Sequence, residues 1–348
     1  MSRAVAVVED SRYREHRAPE DHPERAERLS AVSEAITSRA GSGLRRVEAR
    51  SATPEEIGRV HPAEHAENLR AAARRAPTRL DADTFLSPRS EEVAALAAGA
   101  TADVALRVAR GEFAAAFAAV RPPGHHAETR RAMGFCLYNS AAIAVRALQA
   151  EAGVGRVLLL DWDVHHGNGS QQIFEADPSV LYVSLHQWPH YPGSGDFGEN
   201  GSGAGSGATL NVPLPAGCGD AEYLAISQRL LVPAANAFRP EIVMVSSGFD
   251  AHADDPLGSM QVTRAGFAGL AELARALAET HCGGRLVGVL EGGYALSGLR
   301  EGSGALLDAL LADRATPPSD SPLHPQLERV VESVEAVHGR DFPGLASL

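Results

Sequence analysis

Cysteine is scarce in this sequence and is not arranged as a disulfide framework or a thiolate metal site. The 348 residues include three cysteines, Cys136, Cys218 and Cys282, and no two of them form a CxxC pair. This usage favours a reducing compartment. The first residues contain only a short apolar run before acidic residues, so we expect no signal peptide, and no segment approaches the roughly 18 apolar residues of a membrane span. We therefore expect a cytoplasmic protein without a membrane partner.

Positive charge is also in the minority. The chain has 32 lysine and arginine residues against 44 aspartate and glutamate residues, a formal net charge of −12, and its basic residues are scattered. This distribution argues against a protein that binds the phosphate backbone of nucleic acids. A negative surface is compatible with cationic substrates, although solubility alone explains it at least as well. With 44% hydrophobic residues, the chain can bury a large core.

Short apolar segments alternate with helical segments along most of the chain. Predicted strands cover residues 4–9, 114–120, 156–160, 180–185, 241–246 and 285–290, and predicted helices cover 91–111, 139–153, 220–238 and 326–339. This alternation indicates an α/β fold with a central parallel sheet and helices on both faces. We expect a single domain over residues 1–314. Over 315–348 we expect a Pro-rich linker and a C-terminal helix packed on the same domain.

Five of the predicted strands are each followed by a cluster of polar residues. In chain order the clusters read RPPGHHA, DWDVHHGNG, HQWPHYPGSG, SGFDAHADDP and EGGY. The carboxyl ends of parallel strands share one edge of a sheet, and α/β proteins bind their ligands there. The sequence therefore predicts one site built from five loops.

The cluster DWDVHH has the composition of a metal site. In an extended segment, Asp161, Asp163 and His165 lie on one side of the chain, and carboxylates so close together repel unless a cation or donor neutralises them. Carboxylate and imidazole ligands suit Zn²⁺ or Fe²⁺. A third ligand should come from another strand end, and Asp250 is the leading candidate. Its rivals in the same loop are His252, Asp254 and Asp255.

The tandem histidines His125 and His126 follow a turn that two prolines make rigid. They could be metal ligands, or a general acid and a general base, and each ring needs a partner at its second nitrogen. Asp161 and Asn168 are available as those partners. Tyr294 follows two glycines at another strand end and could direct its hydroxyl at an oxyanion.

In their order along the chain, these motifs resemble the histone deacetylase superfamily. The matching motifs are PPGHHA, GFCLYN, DWDVHHGNG, SLH, GFDAH and EGGY, spread over about residues 10–310. The likeness is greatest to class II members and to bacterial histone deacetylase-like amidohydrolases, which are related to acetylpolyamine amidohydrolases. It implies an arginase/deacetylase α/β fold with its active site at the carboxyl ends of the strands. It also implies a catalytic Zn²⁺, with Fe²⁺ as the alternative, held by Asp163, His165 and Asp250.

The resemblance also implies the catalytic residues. It places His125 and His126 on the catalytic water, Asp161 behind His125 and Asn168 behind His126, and it makes Tyr294 the donor to the substrate carbonyl oxygen. Class I members carry aspartate where this chain has Asn168. An amide raises the basicity of an imidazole less than a carboxylate does, so His126 should be neutral more easily and act as general base. A structural potassium ion is implied near Asp161, Asp163, His165, Ser184 and Leu185.

Further matches imply a tunnel that admits an acyl-lysine side chain. Phe135 and Tyr191 would form its aromatic walls, although in isolation both read as core residues. The carbonyl of Gly134 would accept the N–H of the substrate amide, and Asp83 would grip the substrate backbone at the rim. Leu257 stands where polyamine-selective relatives carry glutamate, so it favours acyl-lysine.

The activity implied is deacetylation of acetyl-lysine, in a protein or a small molecule. The short loop at residues 17–24, which lacks the insertion of acetylpolyamine enzymes, supports this choice. The alternatives are an acetylpolyamine amidohydrolase, a hydrolase of other small amides or esters, a catalytically weak acyl-lysine binding module and an arginase-like binuclear manganese ureohydrolase. Too few additional carboxylates are available for a second metal, which disfavours the last. The sequence leaves a homo-oligomer open.

Overall fold

A sheet of eight parallel strands lies at the centre of the structure, a computed structural model that describes residues 4–316, 318–319, 322–339 and 341–342. In chain order the strands of the described residues are β1 (Val5–Val8), β2 (Leu44–Arg46), β3 (Thr78–Arg79), β4 (Phe85–Leu86), β5 (Ala115–Ala118), β6 (Val157–Asp161), β7 (Val180–Gln187), β8 (Thr209–Leu214), β9 (Ile242–Ser247) and β10 (Leu286–Leu290). The order across the sheet is β2-β1-β5-β10-β9-β6-β7-β8, and β3 and β4 form a separate antiparallel pair.

Helices flank the sheet and bury its strands. They are α1 (Arg28–Thr37), α2 (Pro54–Gly58), α3 (Ala63–Ala73), α4 (Ser90–Ala109), α5 (Ser140–Ala152), α6 (Asn168–Phe174), α7 (Asp220–Ile226), α8 (Val232–Phe238), α9 (Arg264–Cys282), α10 (Leu296–Leu311) and α11 (Pro325–His338). Helix α4 packs against α5, and α10 packs against both α1 and α9. The predicted α/β architecture is therefore confirmed. None of the helices described here is long and apolar enough to cross a membrane.

All six predicted strands are present, each with boundaries within about two residues of the prediction. Two strands at the edges of the sheet were missed. Strand β2 has only three residues, two of them exposed arginines, and β8 contains Asn211 and Pro213 instead of a continuous apolar run. Edge strands need less apolar character because one side of the strand is not paired, so they leave a weaker pattern.

The single helix predicted over 220–238 was wrong in its middle part. A π-helical turn at Ser227–Leu231 separates α7 from α8. Pro233 has no amide hydrogen, so the regular α-helical hydrogen bond is missing at that point and the preceding turn widens.

The described part of the C-terminal segment contacts the rest of the chain. Helix α11 packs beside β8, and its Leu327 and Val334 are fully buried. Arg229 forms an ion pair of 2.5 Å with Glu335 of this helix. Parts of the predicted range 315–348, and residues 1–3, lie outside the described residues, so the predicted domain boundaries stay a prediction.

The strands that carry the five polar loops are neighbours in the sheet. They are β5, β10, β9, β6 and β7, in that order. Asp161 at the end of β6 is in register with Ser184 of β7 and Ser246 of β9. The strand ends therefore lie at one level, and the loops that follow them meet above the same edge.

A buried ion-pair network contacts this edge through Arg28, which donates to the carbonyls of Glu291 and Gly293 just after β10. Glu24 accepts from Arg121 Nε at 2.5 Å and from Arg28 Nη1 at 3.0 Å, and none of the three side chains is exposed to solvent. Burial alone raises the pKa of Glu24, but Arg121, His16 and Arg28 outweigh it and hold the pKa well below 4.5. The carboxylate is thus stabilised in its charged form.

Replacement of Glu24 by glutamine should lower the free energy of unfolding by roughly 3–5 kcal/mol at neutral pH, because two buried guanidinium groups lose their shared carboxylate. Because the folded-state pKa is depressed, this contribution is present above about pH 4.5 and is lost as the pH falls through the folded-state pKa. Urea unfolding at a series of pH values measures the difference.

The control is Glu34→Gln, which breaks an ion pair between Glu34 and Arg300, whose side chains are 58% and 49% exposed. An exposed pair contributes at most about 1 kcal/mol. Equal losses in the two variants would show that the buried network does not carry the expected energy.

Candidate active site

Asp163, His165 and Asp250 form a compact buried cluster at the edge of the sheet. Nδ1 of His165 lies 3.1 Å from Oδ1 of Asp163 and 3.2 Å from Oδ2 of Asp250. Candidate ligand atoms of the three side chains all lie within 4.8 Å of one another. The first two residues follow β6 and the third follows β9, so the structure brings together the three predicted metal ligands.

The rival ligands in the loop after β9 lie elsewhere. The side chain of Asp254 is 65% exposed, and His252 Nε2 lies 3.4 Å from Glu301. Asp255 accepts the backbone N–H of Tyr294 at 2.6 Å. Asp255 therefore helps to hold the loop that carries Tyr294.

Backbone groups fix both carboxylates of the cluster. Asp250 Oδ1 accepts from the amide of Val164 at 2.8 Å, and Asp163 Oδ2 accepts from the amide of Gly292 at 2.8 Å. A Cβ atom on Gly292 would lie 2.1 Å from Asp250 Oδ2 and 2.5 Å from Asp163 Oδ2. Only glycine lets the end of β10 approach the two carboxylates so closely.

The cluster has the electrostatics of a cation site. Burial and the neighbouring Asp163 raise the pKa of Asp250 to about 7. Burial alone lowers the pKa of His165, but the two carboxylates outweigh it and raise the pKa to about 10. Two buried carboxylates thus face one another and require positive charge between them. Three nitrogen and oxygen ligands of this kind fit Zn²⁺ or Fe²⁺ and suit a catalytic site, which keeps a further coordination position.

The tandem histidines after β5 have different partners and opposite pKa shifts. His125 Nδ1 lies 3.0 Å from Asp161 Oδ2, and His126 Nδ1 lies 2.8 Å from Asn168 Oδ1. Burial lowers the pKa of both rings, but Asp163 and Asp161 reverse the effect at His125 and raise its pKa to about 10. The charges of His125 and His165 add to burial at His126 and hold its pKa well below 6.5. His126 is therefore held in its neutral form, which has a ring-nitrogen lone pair free of a proton.

A cavity of about 240 Å³ reaches His165 of the cluster. It is lined by Asp83, His126, Gly134, Phe135, His165, His190, Tyr191, Leu257 and Tyr294. All five residues predicted to contact the substrate are in this set. A Cβ atom on Gly134 would lie 2.4 Å from the ring of His126, so this wall also needs glycine.

Tyr294 is held so that its ring forms part of the cavity wall. Its ring lies 5.7 Å from that of Phe135, and the guanidinium of Arg28 lies 5.0 Å from its centroid. Arg28 also donates to the carbonyl of Gly293 at 2.6 Å. Burial raises the pKa of Tyr294 well above 10, so the hydroxyl keeps its proton and can donate a hydrogen bond.

The residues predicted for potassium lie at or just after the end of β6 and within β7. Asp161 is paired in register with Ser184, and Leu185 follows in the same strand. Asp161 Oδ1 accepts from the amide of Asp163 at 3.2 Å, and Asp161 Oδ2 accepts from the hydroxyl of Tyr182 at 3.0 Å. The potassium ion itself stays a prediction.

Sequence reasoning missed several residues of the site. Glu291 accepts from the amides of Gly124 at 2.6 Å and His125 at 3.1 Å, and so ties the histidine loop to β10. His190 stacks on His165 with ring centroids 5.0 Å apart. Glu291 lies in the EGGY motif and His190 in the HQWPHYPGSG cluster. Their places in these motifs were the only indication in the sequence that they belong to the site. Arg28 had none, because its partners at the site, the carbonyls of Gly293 and Glu291, are more than 260 positions away in the chain.

The fold and the cluster define the class of protein: a parallel α/β protein with a candidate metal centre and a tandem-histidine loop at the carboxyl edge of its sheet. The family model for the histone deacetylase domain matches residues 22–310. The chain belongs to the histone deacetylase family.

Individual relatives agree with this membership. The chain is 43% identical over 282 residues to the histone deacetylase-like amidohydrolase of Pseudomonas aeruginosa, covering 79% of this chain and 72% of that protein. It is 39% identical over 346 residues to the human polyamine deacetylase HDAC10, covering 95% of this chain and 50% of that protein. The chain spans about half the length of several relatives that it matches.

A solved structure is similar over nearly the whole chain. The crystal structure of the HDA15 HD domain superposes with a TM-score of 0.89 at 38% identity, covering 99% of this chain and 96% of that one. The arginase/deacetylase α/β fold expected from the motifs is thereby confirmed.

Proposed function

We propose that this protein is a metal-dependent deacetylase of acetyl-lysine side chains. The observation that carries the proposal is the meeting of the Asp163–His165–Asp250 cluster with His126 and Tyr294 at one cavity. A Zn²⁺ or Fe²⁺ ion bound by the cluster would polarise the acyl carbonyl and lower the pKa of water. The residues around it account for the rest of the chemistry.

Two histidines would transfer protons in this reaction, and Tyr294 would stabilise the negative charge. His126 donates from Nδ1 to Asn168, so its Nε2 is free to take a proton from the attacking water. The hydroxyl of Tyr294 donates to the developing oxyanion. A protonated histidine then returns a proton to the departing amine, which leaves as free lysine beside acetate. His125, with its pKa of about 10, is available in that form.

The remaining assignments orient the substrate and the base. The carbonyl of Gly134 accepts the substrate amide N–H, Phe135 and Tyr191 enclose the alkyl chain, and Asp83 binds the substrate backbone at the rim. An amide at Asn168 is the class II pattern. A potassium ion beside Asp161 would keep that carboxylate charged although burial raises its pKa.

The test is a substrate panel on enzyme reconstituted with Zn²⁺ or Fe²⁺, with acetate release as the measurement. The panel contains an acetyl-lysine peptide, its trifluoroacetyl analogue, acetylputrescine and acetylspermidine. The chain contains no lysine, so every acyl-lysine consumed belongs to the added substrate. No release by metal-loaded protein would favour a binding module, and two metals per chain would favour the arginase-like alternative.

A polyamine deacetylase is the second candidate, because one relative at 39% identity carries that name. The two candidates share the catalytic site and differ at the cavity mouth, where this chain has Leu257. A higher kcat/KM for acetylspermidine than for the peptide would select the second candidate.

Leu257→Glu should change the ratio of kcat/KM for acetylspermidine to that for the peptide by about tenfold or more in favour of the polyamine. A carboxylate at the half-buried position 257 would attract the ammonium groups of a polyamine, and an attraction of 1.4 kcal/mol corresponds to tenfold. The control is Leu257→Gln, because the glutamine side chain is nearly the same size as that of glutamate but carries no charge. A similar change of ratio in both variants would show that charge is not the cause.

A further inference from the structure

Both polar atoms of the Asn168 side-chain amide form hydrogen bonds. Its Oδ1 lies 2.8 Å from Nδ1 of His126, and its Nδ2 donates to Oε1 of Glu128 at 2.8 Å. Nδ2 also lies 3.4 Å from the sulfur of Met133, a weak acceptor. A carboxylate accepts hydrogen bonds and does not donate them. Glu128 therefore requires the NH₂ group on its side, which leaves only the carbonyl oxygen of Asn168 for His126.

The orientation of this amide decides which nitrogen of His126 carries the proton. An oxygen facing Nδ1 requires an N–H at Nδ1, so the lone pair of the neutral ring is at Nε2. A reversed amide would present N–H to Nδ1 and select the opposite tautomer, with the proton on Nε2. That tautomer has no lone pair at Nε2 to accept a proton.

We propose that Glu128 is a positioning residue that sets the tautomer of His126 through the amide of Asn168. The proposal rests on the proposed function in that His126 is the general base there. It applies only to an amide at position 168. An aspartate at that position would present an accepting oxygen in either orientation and would need no such partner.

Other contacts hold the loop in place without the Glu128 side chain. The amide of Ser170 donates to the carbonyl of His125 at 3.0 Å, and the amide and hydroxyl of Thr129 donate to Gln172 Oε1 at 3.0 and 2.9 Å. A Cβ atom on Gly169 would lie 2.3 Å from the carbonyl of Ala127, so α6 and the loop are in close contact. Glu128 is half-buried, and its removal should leave this packing intact.

The kinetic test compares Glu128→Leu with Glu128→Gln. The leucine variant removes the acceptor and should lower kcat for the best substrate of the panel about 10–100-fold with little change in KM, the usual range for residues that orient a ligand or base from behind. The glutamine variant keeps an acceptor oxygen but can also donate to a reversed Asn168 amide, so it should recover only part of the activity. Thr129→Val removes the neighbouring hydroxyl that donates to Gln172, keeps the backbone hydrogen bond to the same oxygen, and should have little effect. An equal loss in Thr129→Val would assign the effect to loop packing and overturn the proposal.

In an Asn168→Asp background, Glu128→Leu should change kcat in the opposite direction. The aspartate needs no orientation, and its carboxylate would face that of Glu128, so Glu128→Leu should raise kcat there instead of lowering it. A decrease of similar size in both backgrounds would overturn the proposal.

A readout independent of turnover is the ¹⁵N NMR spectrum of the imidazole nitrogens in the whole 348-residue chain, with the His126 signals assigned by their loss in His126→Gln. The wild-type ring should carry its proton on Nδ1, and Glu128→Leu should show the Nε2–H tautomer. Persistence of the Nδ1–H form in Glu128→Leu would contradict the proposal. If the wild type hydrolysed no substrate, the proposed function would fail, whereas the spectra would still decide the role of Glu128.

Discussion

Asp250→Asn is expected to lose stoichiometric metal binding and to reduce hydrolysis by roughly 10³-fold or more, because the Lewis acid is lost with the cation. The oxygen of asparagine can still accept from the amide of Val164, which Asp250 Oδ1 does at 2.8 Å. Its NH₂ group then replaces the oxygen that faces His165, and a donor group cannot bind a cation. Metal content after dialysis and acetate release measure the two losses.

Unfolding of the metal-free proteins separates this effect from misfolding. Burial and Asp163 raise the pKa of Asp250 to about 7, so its charged form destabilises the metal-free fold increasingly as the pH rises above the unfolded-state value. The metal-free asparagine variant should therefore be at least as stable as the metal-free wild type. Asp254→Asn, in the same loop but 65% exposed, is the matched control and should keep its metal. One bound metal per chain in Asp250→Asn would remove Asp250 from the ligand set.

Tyr294→Phe is expected to reduce kcat by about 10²–10³-fold while metal content stays unchanged, because one donor to the oxyanion is lost. The other contacts of Tyr294 do not involve its hydroxyl. The backbone amide remains on Asp255, and the ring keeps its positions beside Arg28 and Phe135. Single-turnover hydrolysis of an acetyl-lysine peptide, with metal analysis of the same sample, tests this.

Tyr138→Phe is the control for the loss of a buried tyrosine hydroxyl. That hydroxyl donates to Glu91 at 2.9 Å and is not part of the cavity lining. Its removal should affect stability and leave kcat unchanged. Turnover of Tyr294→Phe at the wild-type rate would exclude Tyr294 from the mechanism.

Polar residues that directly follow a buried apolar strand could be predicted from the sequence to belong to the site. Asp161 and Asn168 were expected behind the two histidines, and the structure has them there at hydrogen-bond distance. Glu128 and Glu291 could not be predicted in the same way. A glutamate beside a histidine motif is ordinary in sequence, and only the folded chain shows that one carboxylate accepts from an amide side chain and the other from backbone N–H groups.

The sequence by itself determined the fold class and indicated most of the polar side chains that meet at the edge of the sheet. Alternating apolar and helical segments require a parallel sheet, and polar residues after buried strands must collect at its carboxyl edge. Tertiary structure decided which residue of the loop after β9 joins the metal cluster. Asp250, Asp254 and Asp255 are three aspartates of the same loop. Of these, only Asp250 accepts from the amide of Val164 with one carboxylate oxygen while its other oxygen faces His165. That choice depends on how β6 and β9 pair in the folded sheet, because the pairing fixes which residues of the two loops meet.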